Sequence, residues 1–186
     1  MTSDWRSSYS DCASPNNCRT MAAAPVVIRL LEAGDIDRLV PLHAACFEEA
    51  WDLEALATLL AMPGAFALLA EAEGSEIAGF IMIRGAADEA EIISFGVRPG
   101  SRRRGIARRL LAATIKVTAS RGQRQLFLEV AADNNAAHEL YLSEGFAEVG
   151  QRPNYYHRVE GSVAALVMRR DITIASKPMQ GIEEET

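Results

Sequence analysis

The chain has 186 residues, of which 49% are hydrophobic, so it is long enough for one well-buried core and short for two. Its net charge is -6. Because it contains no run of about 18 or more apolar residues, the sequence predicts no membrane-spanning helix. Three cysteines, Cys12, Cys18 and Cys46, form an odd set that favours a reducing compartment, the cytoplasm, over a disulfide framework.

We expect one domain, over residues 25–172, between two extensions. Residues 1–24 are mostly polar at their start, follow no helix or strand period, lack the apolar core of a secretory signal, and are predicted to be disordered. Met21 could be the true first residue. Residues 173–186 contain three consecutive glutamates, Glu183–Glu185, and are predicted to form a flexible tail.

The first half of the domain reads as a strand, two helices and three further strands. Gly34 and Asp35 are expected to cap the first helix, Asp52 to cap the second, and Pro63-Gly64 to end it. Short polar breaks between the later strands suit hairpins. The predicted strands are 26–30, 65–70, 77–83 and 91–97, and the helical patterns cover 36–43 and 53–60.

The second half alternates helices and strands. An apolar stripe over 106–117 predicts a long helix that Gly122 ends, and Asp133 or Asn134 is expected to cap a last helix that Gly145 ends. Strands are predicted at 125–130, 146–149 and 163–168. The fold class is therefore α/β, with a mixed, mostly antiparallel sheet of about seven strands flanked by about four helices.

Positive charge is concentrated in one segment. Residues 98–124 contain nine of the nineteen Lys and Arg residues and not one Asp or Glu. The centre of this segment, Arg102–Arg108, lies between a predicted strand and a predicted helix. A helix N-terminus offers unpaired N–H groups and partial positive charge, and Gly105 lets a ligand approach that backbone. The segment therefore predicts a site for an anion such as a pyrophosphate.

Two motifs, in order and at matching spacing, resemble the GNAT acetyltransferase family. They are Arg102-x-x-Gly105-x-Ala107 and Asn134-x-x-Ala137-x-x-Leu140-Tyr141-x-x-x-Gly145-Phe146, and the resemblance covers about residues 26–172. Ala107 replaces the second glycine of the commoner loop. The resemblance implies a GNAT fold and acetyl-CoA as co-substrate. The residues that it assigns to acetyl-CoA binding are Phe95, Gly96, Val97, Arg103, Arg104, Gly105, Ile106, Ala107, Arg108 and Asn134.

Three further local matches make the chain similar to bacterial members of that family that acetylate the N-terminal alanine of a small-subunit ribosomal protein. The matches are Cys46-Phe47-x-x-x-Trp51, residues 126–130, and Arg152-x-Asn154-Tyr155-Tyr156. Ala50 stands where those members usually have proline. The resemblance implies that Trp51, Tyr155 and Tyr156 bind the acceptor.

Acetyl transfer to an amine needs a group that takes a proton and a group that gives one. An α-amino group with a pKa near ~8 is mostly protonated at neutral pH, and Glu129, between apolar neighbours on a strand, is the candidate general base. A departing thiolate, of pKa about 8.5, is well matched to a phenol of pKa about 10, which makes Tyr141 the candidate general acid. The resemblance assigns the same two roles.

Charge also indicates the partner. Since residues 98–124 carry +9, the rest of the chain carries -15, with four acids, Glu48, Glu49, Asp52 and Glu54, around the expected acceptor loop. Such a rim would attract a basic protein N-terminus, as ribosomal proteins have. We expect no direct nucleic-acid contact, no membrane contact, no metal and no cofactor beyond CoA, and a monomer or weak dimer.

Other functions stay open at this point. A small-molecule amine, such as a polyamine, amino acid or aminoglycoside, would use the same donor chemistry with a different acceptor pocket. A closed pocket beside Tyr155 and Tyr156 would favour such a metabolite, and an open groove would favour a peptide. A CoA-sensing module without turnover and a nucleic-acid-binding module are the remaining alternatives.

Overall fold

The computed structural model describes residues 26–72, 76–158 and 161–172, so the predicted N-terminal extension and C-terminal tail lie outside the described residues. The strands are β1 Val27–Leu30, β2 Ala65–Glu71, β3 Ile77–Ala86, β4 Glu89–Val97, β5 Gln125–Ala131, β6 Ala147–Arg158 and β7 Gly161–Asp171. The helices are α1 Ile36–Cys46, α2 Leu53–Leu60, α3 Ile106–Ser120 and α4 Asn135–Ser143. The predicted order of elements is confirmed.

All seven of these strands form one sheet in the order β1-β2-β3-β4-β5-β7-β6. The first four are an antiparallel meander, β4 and β5 are parallel, and β7 is antiparallel to both β5 and β6. The chain connects β4 to β5 through α3, as a parallel pair requires. The predicted mixed, mostly antiparallel sheet of about seven strands with four helices is confirmed.

The sheet has a helix layer on each face, because successive side chains of a strand point to opposite faces. On one face, α3 and α4 cover a core that includes Ile81, Ile92, Leu110 and Leu128. On the other face, α1 and α2 cover a second core that includes Leu39, Leu56, Phe80 and Met82. No helix in the described part of the chain is long and apolar enough to cross a bilayer.

The sheet opens in its middle, between β4 and β5. These two strands pair only from Glu89–Gln125 to Ile92–Leu128, after which each continues along its other neighbour, β4 along β3 and β5 along β7. The opening begins at a β-bulge, since Met82 faces Ser94 while Ile83 faces Ile92, which leaves Ile93 as the extra residue. Residues 93–97 and 129–131 therefore border a gap through the sheet.

The predicted cap at Gly34-Asp35 is wrong in its chemistry, although α1 does begin there. The Asp35 side chain makes no capping bond to α1 and instead accepts hydrogen bonds from Arg29, Arg38 and the Glu32 backbone N–H. The Arg29 guanidinium holds the pKa of this buried carboxyl well below its usual range. Asp35 thus fastens α1 to β1 rather than capping the helix.

The sixth strand is much longer than predicted. The sequence indicated residues 146–149, whereas β6 extends from Ala147 to Arg158. The prediction stopped early because Pro153 and Asn154 are typical of turns. In the structure these residues form an irregularity inside the strand, where the register with β7 shifts between Arg152 and Tyr156. This irregularity carries the tyrosines that the sequence assigned to the acceptor site.

Candidate active site

The basic turn lies at the N-terminus of α3, at one end of the opening. Gly105, with φ of +74°, directly precedes the helix, and no atom lies within 4 Å of the position that a β-carbon would take there. Arg103 also has a positive φ, of 63°. The side chains of Arg102, Arg103 and Arg104 are exposed, and the first turn of a helix leaves its N–H groups without helical partners. This turn has the charge, the donors and the open space that a diphosphate needs.

For two of the residues predicted to contact acetyl-CoA, the structure limits which atoms can reach the ligand. Ile106 is 3% exposed and packs into the core, so only its backbone can reach a ligand. The Arg108 Nε lies 2.7 Å from the Glu144 carboxylate, and its Nη2 donates to the Ser143 hydroxyl. Arg108 is therefore held against the end of α4.

Residues 95–97 of β4, which the family resemblance assigns to acetyl-CoA binding, lie along the opening. The Gly96 backbone lies tight against α1, since a β-carbon there would come within 2.8 Å of the Phe80 ring and 3.0 Å of the Cys46 sulfur. Glycine thus lets the first helix approach β4 closely. Beyond Ile92, the edge of β4 that faces away from β3 is not paired with β5. The backbone N–H and C=O groups on this edge of residues 95–97 are therefore available to a ligand.

Tyr141 approaches the opening from the α3/α4 face. It is 7% exposed, and its ring centroid lies 6.4 Å from that of Phe95 and 5.7 Å from that of Phe146. Burial, and to a smaller extent the nearby Tyr156, raise the pKa of Tyr141 well above its ordinary value. Its hydroxyl therefore holds its proton throughout the neutral range, as a proton donor must.

Glu129 lies on the opposite face of the sheet. Its neighbours Leu128 and Val130 point into the α3/α4 core, so the Glu129 side chain, 16% exposed, points to the face of α1 and α2. The Arg152 Nε lies 2.8 Å from one carboxylate oxygen. The Tyr155 hydroxyl also bonds to this carboxylate, and the charge of Glu129 raises the pKa of Tyr155.

A groove of about 280 Å³ lies on this same face, with Glu129, Arg152, Glu91 and Phe127 in its lining. A second depression, of about 450 Å³, lies along α2 and includes Trp51 and Asp52 but neither Glu129 nor Tyr141. The smaller groove is the better candidate for an acceptor site, because it contains the carboxylate that the chemistry requires.

The irregularity of β6 brings Tyr155 to the Glu129 carboxylate, beside this groove. Asn154 has a φ of +54°, and the rings of Tyr155 and Tyr156 meet edge to face with centroids 5.1 Å apart. Tyr155 is 47% exposed and meets Glu129, whereas Tyr156 is half-buried and close enough to influence Tyr141. The two tyrosines therefore influence different candidate catalytic residues, Tyr155 acting on Glu129 and Tyr156 on Tyr141.

Trp51 lies on the loop between α1 and α2 and packs against His43 at a ring-centroid distance of 4.9 Å. The four acids that the sequence places around this loop are exposed: Glu48, Glu49, Asp52 and Glu54. Asn134, expected at acetyl-CoA, caps α4 by accepting a hydrogen bond from the Ala137 N–H, which fixes the start of the helix that carries Tyr141. The capping residue is thus Asn134 and not Asp133.

Two residues of this region were absent from the predicted site. Arg152, from β6, reaches the Glu129 carboxylate across β7, a contact that depends on the strand order and has no local signal in the sequence. His43 is 2% exposed and bonds to both the acceptor loop and β4, whereas its place in the apolar pattern of α1 indicated only a packing role. Among the described residues, no group of three or more His, Cys, Asp or Glu side chains could hold a metal ion.

Comparison with known proteins identifies the family. The model of the acetyltransferase (GNAT) family matches residues 36–146. The ribosomal protein bS18-alanine N-acetyltransferase of Escherichia coli K12 is 36% identical over 102 residues, which cover 55% of this chain and 69% of that enzyme. The N-alpha-acetyltransferase RimI of Mycobacterium tuberculosis is 38% identical over 157 residues, which cover 82% of this chain and 96% of the relative.

Solved structures share the fold. The ribosomal-protein-S18-alanine N-acetyltransferase of Escherichia coli superposes with a TM-score of 0.76 at 29% identity, covering 84% of this chain and all of that one. Arabidopsis thaliana NAA60, solved in complex with acetyl-CoA, superposes with a TM-score of 0.70 at 21% identity, over 80% of this chain and 99% of that one. The family model and the curated relatives show that the chain is an acetyl-CoA-dependent N-acetyltransferase. The chain belongs to the GNAT acetyltransferase family.

Proposed function

We propose that this protein transfers the acetyl group of acetyl-CoA to the N-terminal amine of a protein, the N-terminal alanine of a small-subunit ribosomal protein. The observation that carries the proposal is the opening between β4 and β5, with a proton-holding phenol on one face and a paired carboxylate on the other. The names of the relatives support the choice of acceptor. A ribosomal acceptor would place the reaction in the cytoplasm.

The donor binds at the basic turn and along β4. The N–H groups at the start of α3, next to Gly105, hold the diphosphate, together with the guanidinium groups of Arg103 and Arg104. The unpaired edge of residues 95–97 binds the arm that carries the thioester and directs N–H groups to its carbonyl oxygen. The open space at Gly105 supports this fit.

The acceptor enters from the face of α1 and α2. Glu129 takes a proton from the ammonium group, directly or through water, so that the neutral amine can attack the thioester carbonyl. The Arg152 guanidinium and the Tyr155 hydroxyl hold that carboxylate in place. From the other face, Tyr141 gives its proton to the departing sulfur.

The groove favours a peptide over a small metabolite. Five of its lining residues are exposed, so the groove is open to solvent instead of enclosing a pocket: Arg84, Ala86, Glu89, Glu91 and Arg152. The exposed carboxylates of Glu89 and Glu91 line the same groove. On the same face of the sheet, the loop between α1 and α2 and the start of α2 carry four more exposed acids. A basic N-terminal segment would bind here with favourable electrostatics.

The decisive experiment offers acetyl-CoA with a panel of acceptors. The panel contains alanine-starting basic peptides, the same peptides with other first residues, and polyamines, amino acids and aminoglycosides, with products measured by mass spectrometry. We expect acetylation of the alanine-starting peptides. Acetylation of small amines alone would replace the proposed acceptor, and the absence of any product despite acetyl-CoA binding would favour a sensing module.

The donor site gives a direct prediction at Gly105. Alanine at this position must adopt a positive φ, at a cost of roughly 1 to 2 kcal/mol, and its methyl group enters the space assigned to the diphosphate. We expect the Kd for acetyl-CoA, measured by calorimetry, to rise about tenfold or more. Gly100→Ala is the matched control, since it lies in the preceding turn with open space and no positive φ, and it should change Kd less than about twofold. Equal behaviour of the two variants would contradict the assignment.

A further inference from the structure

His43, near the end of α1, connects the acceptor loop to the sheet through both nitrogens of its ring. The Trp51 backbone N–H lies 3.2 Å from Nδ1, and since a backbone N–H can only donate, Nδ1 must be the acceptor. The proton of the neutral ring is therefore on Nε2, which lies 3.3 Å from the Ser94 hydroxyl oxygen. The two bonds fix one tautomer of the imidazole.

The surroundings of the ring leave it little freedom. His43 is 2% exposed, and its ring stacks on Phe47 at 4.6 Å and on Trp51 at 4.9 Å between centroids, with Phe80 tilted beneath at 5.6 Å. Phe47 and Trp51 lie near the two ends of the loop between α1 and α2. The ring is thus the packing centre of this loop, and desolvation lowers the pKa of His43, which keeps it neutral.

Together, the hydrogen bonds of His43 to Trp51 and to Ser94 form a bridge between the loop and the sheet. The Ser94 end of this bridge lies at the opening of the sheet. Ser94 directly follows the bulged residue of β4 and is buried. The next residue, Phe95, points to the opposite face, where its ring lies 6.4 Å from that of Tyr141. A short series of contacts therefore connects the acceptor loop, through His43 and β4, to the candidate general acid.

We propose that His43 is a positioning residue for the acceptor. It holds the loop that carries Trp51 at a fixed distance from the part of β4 that borders the opening. The acceptor amine is thereby held at the correct distance and orientation for attack on the thioester. The inference rests on the proposed function and on the expectation, from the family resemblance, that Trp51 binds the acceptor. If His43 only packs, an aromatic ring at this position is sufficient. If His43 positions the loop, it needs an atom at the place of Nδ1 that accepts the hydrogen bond from the Trp51 N–H.

Four variants separate these roles. His43→Phe keeps an aromatic ring and removes both hydrogen bonds. His43→Asn carries its amide oxygen near the place of Nδ1 and can accept from the Trp51 N–H, whereas His43→Gln carries its amide near the place of Nε2 and can reach only Ser94. Ser94→Ala removes the hydrogen-bond partner of Nε2 and leaves the His43 ring unchanged.

The kinetic readout is the KM for the acceptor, measured against the KM for acetyl-CoA. We expect His43→Phe to raise the acceptor KM about tenfold, because it leaves the Trp51 N–H without its partner, while the KM for acetyl-CoA stays within about twofold. His43→Asn should recover most of the loss, and His43→Gln should recover less. An unchanged acceptor KM in His43→Phe, or equal values in the Asn and Gln variants, would overturn the proposal.

A second readout does not depend on catalysis. Hydrogen exchange at the Trp51 amide, followed by NMR, should be slow in the wild type and in His43→Asn, and fast in His43→Phe and His43→Gln. Thermal unfolding of each variant shows whether the fold is retained. Equally slow exchange in all folded variants would show that the Trp51 N–H does not depend on its hydrogen bond to His43.

The two proposals fail in different ways. If the wild type acetylates only a small amine, the proposed acceptor is wrong, and the KM comparison is then made with that amine and still tests His43. If the wild type acetylates alanine-starting peptides but the His43 variants keep the wild-type KM and exchange rates, the positioning role is wrong and the proposed function stands.

Discussion

Replacing Tyr141 with Phe is expected to lower kcat for peptide acetylation by about 100- to 10,000-fold, the usual size of a lost general acid. The variant keeps the ring that packs between Phe95 and Phe146, so the α3/α4 core should be unchanged. It removes only the hydroxyl, whose proton the departing thiolate needs. Steady-state kinetics measure the loss, and calorimetry should show that acetyl-CoA still binds with a Kd within about twofold of the wild type.

The pH dependence of this loss follows from the direction of the pKa shift. Burial raises the pKa of Tyr141, and a phenol donates a proton only below its pKa, so this residue stays an acid beyond the ordinary tyrosine value of about 10. The rate should therefore not fall between pH 7 and roughly pH 10 because of Tyr141. The ratio of wild-type to variant kcat should be the same at both ends of that range.

Tyr155→Phe is the matched control for the Tyr141 variant, because it makes the same chemical change on the acceptor side of the opening. Tyr155 touches the Glu129 carboxylate and is 47% exposed, so its loss should act mainly through the acceptor. We expect its acceptor KM to rise and its kcat to fall by less than about tenfold. A Tyr141→Phe variant with wild-type kcat, or one no slower than Tyr155→Phe, would remove Tyr141 from the mechanism.

Much of the fold could be predicted from the sequence because its signals are local. Caps, glycine stops and apolar periods indicated the order of the four helices and seven strands in the described part of the chain. The charge of residues 98–124 indicated a candidate anion site. The missing half of β6 shows the limit of such signals. Its turn-like residues Pro153 and Asn154 lie in a strand because β7 provides hydrogen-bond partners on both sides of the irregularity.

The arrangement of the candidate site was harder to predict, since it depends on contacts between distant residues. The sequence indicated Glu129 and Tyr141 separately, but only the topology puts them on opposite faces of one sheet, on either side of a gap. The bulge at Ile93, which begins the gap, has no glycine or proline to mark it. Arg152 and His43 act through partners far away in sequence, Glu129 and Ser94, which no period can indicate.

Glu129→Gln is the second substitution with a large expected effect. Glutamine keeps the size of the side chain and an oxygen that can accept from Arg152 and Tyr155, but it cannot take a proton at neutral pH. We expect kcat/KM for the peptide to fall by about 100-fold or more at pH 7, measured under initial-rate conditions. Acetyl-CoA binding should be unchanged, because the proposed donor site lies at the basic turn of α3.

The size of this loss should itself depend on pH. An α-amino group has a pKa near ~8, so above roughly pH 9 most acceptor molecules already lack the proton that Glu129 removes. The ratio of wild-type to Glu129→Gln rates should therefore decrease from about pH 6.5 to about pH 9.5. Glu139→Gln is the matched control, since Glu139 is an exposed carboxylate on α4 that lines neither depression, and it should change kcat/KM by less than about threefold at every pH. A loss that is independent of pH, or equal in the two variants, would show that Glu129 contributes charge and not proton removal.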